Sequence, residues 1–244
     1  MIRTVVWFTY FSLYLLFISP GLIKARLIKD EQKRAAFVHK HAVRWSSSLI
    51  RLAGGKVTVS GSSQIPEGPV LFVSCHEGNF DIPVLLSSTG RKTGFISKVE
   101  VGKIPLISGW MQQLDCVFLD RADRRQAVRA MREGAEKLKQ GSSLVVFPEG
   151  TRNKGGEMGQ FKKGSFKLAE MSGCTIVPIA ITGTSSMMEQ HGKRIHPGSV
   201  QVTFGAPITL HQEKKVKLEE LAAVTESAVA DLRRTNLQQE ERQQ

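Results

Sequence analysis

His76 and Asp81 stand five residues apart in Cys75-His76-Glu77-Gly78-Asn79-Phe80-Asp81, directly after the apolar run Val-Leu-Phe-Val-Ser at 70–74. An imidazole can take a proton from a hydroxyl, and a carboxylate bonded to its other nitrogen fixes the tautomer and stabilises the resulting imidazolium. In a regular helix that spacing rotates two side chains about 140° apart. Contact between them therefore requires an irregular turn, for which Gly78 and Asn79 are suited. Asp81 also has a plainer role open to it. Pro83 fits the first turn of a helix through Val84–Ser88, and a carboxylate at a helix N-terminus is favoured by the dipole. Cys75 is the candidate nucleophile for a covalent route, but neighbours on an extended segment point to opposite faces, which turns its sulfur away from His76.

Two more polar clusters follow apolar runs. In Phe147-Pro148-Glu149-Gly150-Thr151-Arg152, Gly150 permits close backbone approach to a ligand, Arg152 offers a planar fork suited to phosphate, and Thr151 adds a further bond. Glu149 either orients that arginine or is a plain turn residue. The third cluster is Phe118-Leu119-Asp120-Arg121, with Lys103 upstream in VGKIPLISGW. Both cations are placed to face the same cleft as the histidine.

What must position these residues is a sheet. Beyond Gly54-Gly55, β-branched runs at KVTVSG, 70–74, 95–97, 116–119, 143–147, 175–181 and 200–204 alternate with segments of helical spacing, such as Val128, Met131, Ala135 and Leu138 before the stop signal Gly141. This alternation predicts an α/β fold, a mixed and largely buried sheet flanked by helices. Unbroken apolar runs such as SLVVF predict strands covered on both faces, whose ends are where ligands meet the chain.

The N-terminal 53 residues read differently. Residues 4–23 carry no charge and lie between Arg3 and the cations Lys24, Arg26 and Lys29. No small-residue cleavage site follows, so the segment is expected to stay. Pro20-Gly21 should end the first helix after Ser19, and a second is expected from about Leu22 to Leu52. Together they predict a membrane-associated hairpin anchor over 1–53 that contacts anionic headgroups, then a catalytic domain over 54–235 and a polar, frayed tail over 236–244. The Lys/Arg density after residue 23 places the domain on the cytoplasmic side.

A net charge of +12 and a pI near 9.8 predict an anionic partner, without choosing among nucleic acid, lipid headgroups and phosphorylated substrates. The glycine-lysine stretch 159–165 lacks the lysine of a phosphate loop, and no zinc spacing or aromatic-basic stacking motif occurs, so no nucleic acid and no metal are expected. The absence of a G-x-S-x-G turn disfavours a serine hydrolase. Three scattered cysteines, Cys75, Cys116 and Cys174, argue against a disulfide framework and fit a reducing compartment. A non-catalytic basic membrane-binding module would leave the histidine and aspartate unexplained.

Taken together, HEGNFD, FLDR, FPEGTR and VPIAI resemble the four motifs of the glycerolipid acyltransferases, in the family's order, over about residues 70–181. The resemblance implies that His76 is the general base and Asp81 its orienter. Arg121, Glu149, Gly150 and Arg152 would bind the acceptor's glycerol phosphate, with Lys103 and Thr151 beside them, and Pro178 would shape the acyl-binding region. It further implies no bound cofactor, acyl-CoA or acyl-acyl-carrier-protein as co-substrate, and lysophosphatidic acid or another polar lysolipid as acceptor. The site of action would be the cytoplasmic face of a bacterial inner or plasma membrane. The sequence departs from the commonest family form, in which asparagine precedes the histidine and serine lies two residues after it; here those positions are Cys75 and Gly78.

Overall fold

The computed structural model describes residues 1–209 and 217–242. All seven apolar runs form strands: β1 (Gly55–Ser60), β2 (Val70–Ser74), β3 (Thr93–Lys98), β4 (Val117–Leu119), β5 (Ser143–Val146), β6 (Thr175–Thr182) and β7 (Gly198–Phe204). They make one sheet in the order β1-β7-β6-β2-β5-β3-β4. β6 and β7 pair antiparallel and every other neighbouring pair is parallel. The helices are α1 (Ile2–Ile18), α2 (Pro20–Leu27), α3 (Glu31–Ala53), α4 (Asp81–Ser88), α5 (Ile107–Gln113), α6 (Arg124–Lys139), α7 (Lys167–Ser172) and α8 (Leu218–Glu241).

Alternation along β2 divides the core in two, because successive strand side chains leave opposite faces of the sheet. Val70 and Phe72 pack with Trp7, Val38, Leu49 and Val84 from α1, α3 and α4. Leu71, Val73 and Cys75 pack with Leu138, Leu168 and Val229 from α6, α7 and α8. Every residue of β2 is buried, as expected for a parallel strand covered on both faces. Each of its large apolar side chains contributes about 1.5–3 kcal/mol by leaving water.

The parallel arrangement also collects the polar segments. Because β2, β3, β4 and β5 share a direction, the chain leaves all four at one edge of the sheet. Residues 75–81, 99–103, 120–123 and 147–152 meet there.

The N-terminal region corrects two expectations. Ser19 keeps a helical backbone and α2 follows at once, so the chain runs helical from Ile2 to Leu27 with 11% of its apolar window buried. Pro20 removes the N–H that the Leu16 carbonyl would have received; the Ser19 hydroxyl donates to that carbonyl at 2.7 Å instead. Those 26 residues span about 39 Å, long enough to cross a hydrocarbon core of about 30 Å. The real break comes at Asp30, whose carboxylate caps α3 by accepting from the Lys33 N–H at 2.9 Å.

α3 is the second limb of the N-terminal helical pair and also enters the core of the domain that follows. Its buried stripe, Val38, Ala42, Leu49 and Ala53, belongs to the same core as β2, so no separate core ends at residue 53. α1 runs antiparallel along it, with Trp7 Nε1 donating to the Leu49 carbonyl at 2.9 Å and Phe11 against Trp45.

The tail expectation is corrected as well. α8 continues to Glu241, Asn236 is buried, and Glu240 accepts from Thr182 Oγ1 at 3.1 Å. Residues 243–244 lie outside the described residues. Pro178 stands within the sheet, since β6 lies between β2 and β7. The Pro178 carbonyl accepts from the Gly205 N–H at 2.8 Å. The β7 ladder starts only at Ile179, and Ile176 bridges to Ile208. The missing N–H thus falls opposite the gap where the chain leaves β7.

Candidate active site

The turn from His76 to Asp81 closes as their spacing requires. Nδ1 of His76 donates to Asp81 Oδ2 at 2.6 Å. With Nδ1 donating to the carboxylate, Nε2 is the ring nitrogen that can accept. The same Oδ2 accepts from the N–H groups of Glu77 and Gly78 at 2.8 and 3.1 Å, and Oδ1 accepts from the Thr184 hydroxyl. Asp81 is fully buried, whereas the His76 side chain is 20% exposed. The imidazole lies on the Phe147 ring, centroids 4.1 Å apart and planes 16° from parallel. One edge of the ring is thus fixed by a carboxylate, one face by an aromatic, and Nε2 is left to a ligand.

Glu149 is not oriented toward arginine. Its Oε1 accepts from the backbone N–H of His76 at 2.6 Å, and its Oε2 from the Gly159 N–H at 2.8 Å. The buried carboxylate therefore ties the histidine's backbone to the loop after β5, and its oxygens are occupied by backbone donors. Gly150 has φ +76°, a conformation that favours glycine. A Cβ there would lie 3.0 Å from Lys162 Nζ and 3.4 Å from Arg121 Nη1, and Arg121 donates to the Gly150 carbonyl. Arg121 and Lys162 thus converge on this turn. Arg152 sits on its other side, Nη1 donating to Asn79 Oδ1 at 2.6 Å.

This arrangement sets an imidazole bonded to a buried carboxylate beside cations at the ends of parallel strands. The sequence profile of the family described as Acyltransferase matches residues 56–182, more than half of the chain. The chain belongs to the acyltransferase family. It is 38% identical over 178 residues to the chloroplastic 1-acyl-sn-glycerol-3-phosphate acyltransferase LPAT1 of Arabidopsis thaliana, covering 72% of this chain and 49% of that one. To the 1-acyl-sn-glycerol-3-phosphate acyltransferase of Pseudomonas aeruginosa it is 28% identical over 200 residues, covering 81% and 77%. The chain therefore spans about half the length of the plant relative and most of the bacterial one. The crystal structure of the 1-acyl-sn-glycerophosphate (LPA) acyltransferase PlsC from Thermotoga maritima superposes with a TM-score of 0.85 at 29% identity, over 98% of this chain and 95% of that one.

In this member of the acyltransferase family, His76, Asp81, Arg121, Glu149, Gly150 and Arg152 lie at one edge of the sheet. Thr151 is exposed on the same turn, and Lys103 is exposed in the 3-10 turn after β3. Pro178 is elsewhere. It is level with Val73, inside the sheet rather than at its end, and its ring lies 3.0 Å from where a Cβ on Gly205 would stand.

Three residues bonded around this turn lie outside the motifs: Thr184 and Glu189, which follow β6, and Arg233 on α8. Arg233 Nη2 lies 3.6 Å from Glu77 Oε1, so the last helix reaches the residue next to His76. A signal was present in Glu77 itself, an acid that follows a fully buried strand and so needs a partner.

Burial, then the charge of Asp81, pushes the Glu77 carboxyl from 4.5 up to about 7, against the pull of Arg233. Asp81, Arg233, the Thr184 hydroxyl and the N–H groups of Gly183 and Ser185 face it. A carboxyl whose folded pKa lies above its unfolded one binds more protons when folded. Its contribution is therefore fullest below the unfolded value and is lost as pH rises through the folded one. Thermal melts should show Tm falling between pH 5 and pH 8, and Glu77→Gln should flatten that fall. Equal slopes in the two proteins would refute the burial account.

Cys75 is inert by the same physics. It is fully buried on the α8 side of the sheet, its Sγ 3.6 Å from the Ile181 carbonyl, and burial pushes its thiol up to about 12. Cys75→Ser is expected to retain most of the activity; an acyl group trapped on the cysteine would overturn this.

Proposed function

We propose that the chain transfers a fatty acyl group from a thioester to the free sn-2 hydroxyl of 1-acyl-sn-glycerol-3-phosphate, giving phosphatidic acid. The observation that carries this reading is the His76–Asp81 contact at 2.6 Å with Nε2 left free, on the same sheet edge as Arg121, Lys162 and Arg152. Nε2 accepts the hydroxyl proton as the oxygen attacks the thioester carbonyl. The tetrahedral intermediate then expels the thiolate, which takes the proton back from Nε2–H. Base and enzyme are regenerated without an acyl-enzyme. The cations hold the acceptor's phosphate and thereby present its hydroxyl to the base.

The helix from Ile2 to Leu27 supports membrane attachment, with Val5, Leu13, Leu16, Phe17, Ile23 and Leu27 exposed along it. A water-insoluble acceptor needs an enzyme at the bilayer, and the cations following residue 23 support a site on the cytoplasmic face of a bacterial membrane. The donor is acyl-CoA or an acyl-acyl-carrier-protein.

The test is mass spectrometry of products formed by the full chain in vesicles containing mixed lysolipids, supplied with each donor in turn. Phosphatidic acid is the expected product. Preferential acylation of a lysolipid without a phosphomonoester, or thioester loss with no acylated lipid, would overturn the assignment.

A further inference from the structure

One buried acid at the rim of the site has no place in the proton transfer. Glu189 opens the 3-10 turn Glu189–His191 after β6, and its side chain is only 7% exposed. Its Oε1 accepts from the Asn79 N–H at 2.8 Å and from Arg152 Nη1 at 3.2 Å. Arg152 Nη1 also donates to Asn79 Oδ1 at 2.6 Å. Glutamate, asparagine and arginine thus close a triangle joining the turn after β2 to the turn after β5. The second oxygen, Oε2, is buried and has no hydrogen-bond partner among the described residues. It lies against Gly78, where a Cβ would stand 2.4 Å from it.

An acid this buried needs donors and a cation to compensate its lost hydration. Here those partners belong to two different motifs. Gly78 lies between His76 and Asp81 in the chain, so the carboxylate packs against the turn that sets the base. Arg152 has five N–H donors; with Nη1 committed to the triangle, Nη2 and Nε remain for a ligand.

We propose that Glu189 is a positioning residue for the acyl acceptor: it locks the Arg152 fork to the His76–Asp81 turn and thereby fixes the separation of phosphate and reacting hydroxyl. This rests on the acceptor reading above. It also explains Gly78, because a side chain there and the carboxylate of Glu189 compete for one space.

Steady-state kinetics of the full chain in vesicles, with 1-oleoyl lysophosphatidate as acceptor, test it. Glu189→Ala should raise the acceptor KM by about tenfold or more while the thioester KM stays within about twofold, the split expected when acceptor binding alone is lost. Glu189→Gln keeps an acceptor oxygen for the Asn79 N–H and Arg152, and should recover most of the loss. Gly78→Ser should be severely impaired, and less so when combined with Glu189→Ala, a non-additive pair. Thermal melts of the four proteins read the same coupling without substrate.

Full activity of Gly78→Ser alone would overturn the shared-space contact, as would additive melts. An unchanged acceptor KM in folded Glu189→Ala, or equal changes in both KM values, would overturn the positioning role. Failure of the unsubstituted chain to acylate lysophosphatidate would instead strike the acceptor reading, with the coupling still measured by the melts.

Discussion

Replacing His76 by alanine is expected to lower kcat by about 10²- to 10⁴-fold, the usual worth of a positioned general base. Initial rates of phosphatidic acid formation, with a melt to confirm folding, measure it. The fold should survive. The imidazole is partly exposed, and Asp81 keeps its bonds to Glu77 N–H, Gly78 N–H and the Thr184 hydroxyl when the ring is gone. Loss should appear equally in kcat and kcat/KM, since proton acceptance belongs to the transition state rather than to binding. A folded variant turning over near the wild-type rate would remove His76 from the chemistry.

Asp81→Asn is expected to cost about 10³-fold or more in kcat by removing the charge that faces the developing imidazolium. The amide fits the site in one orientation. Its oxygen takes the place of Oδ2, where His76 Nδ1–H and two backbone N–H groups converge, and its NH2 faces Thr184, whose hydroxyl turns to accept. Tm should therefore change far less than the rate. This variant also separates the two roles of Asp81. If it served only as a favourable charge at the N-terminus of α4, asparagine would lower stability by a few tenths to about 1 kcal/mol and leave the rate intact. A rate within a few-fold of wild type would establish that role alone.

Both variants act within a site that draws on the whole chain. Glu149 holds the histidine's backbone from the loop after β5, Thr184 holds the aspartate from the end of β6, and Arg233 reaches Glu77 from α8. Arg233 thus ties α8 to the residue beside His76, although no residue of α8 carries a recognised motif.

The seven strands, the edge on which the polar clusters meet and the bend from His76 to Asp81 were all legible in the sequence. Each depends on local physics: apolar runs that must be buried, and a short turn that five residues either close or do not. The helix through Pro20 was not legible, because the carbonyl left without the Pro20 N–H is met by the Ser19 hydroxyl and backbone N–H. Nor was the use of α3 as a cover for the sheet. An apolar stripe looks the same whether lipid or β2 lies against it. The assignments of carboxylates to donors were the least accessible. Glu149 meets the His76 N–H across 73 residues, Thr184 meets Asp81 across 103 and Glu189 meets the Asn79 N–H across 110. Spacing along the chain says nothing at such distances. The strand order, which sets β2 between β5 and β6, decides which acid reaches which backbone. Chain-local hydrogen bonding and burial thus determined the elements and the His76–Asp81 turn, and only the packed sheet determined what holds that turn in place.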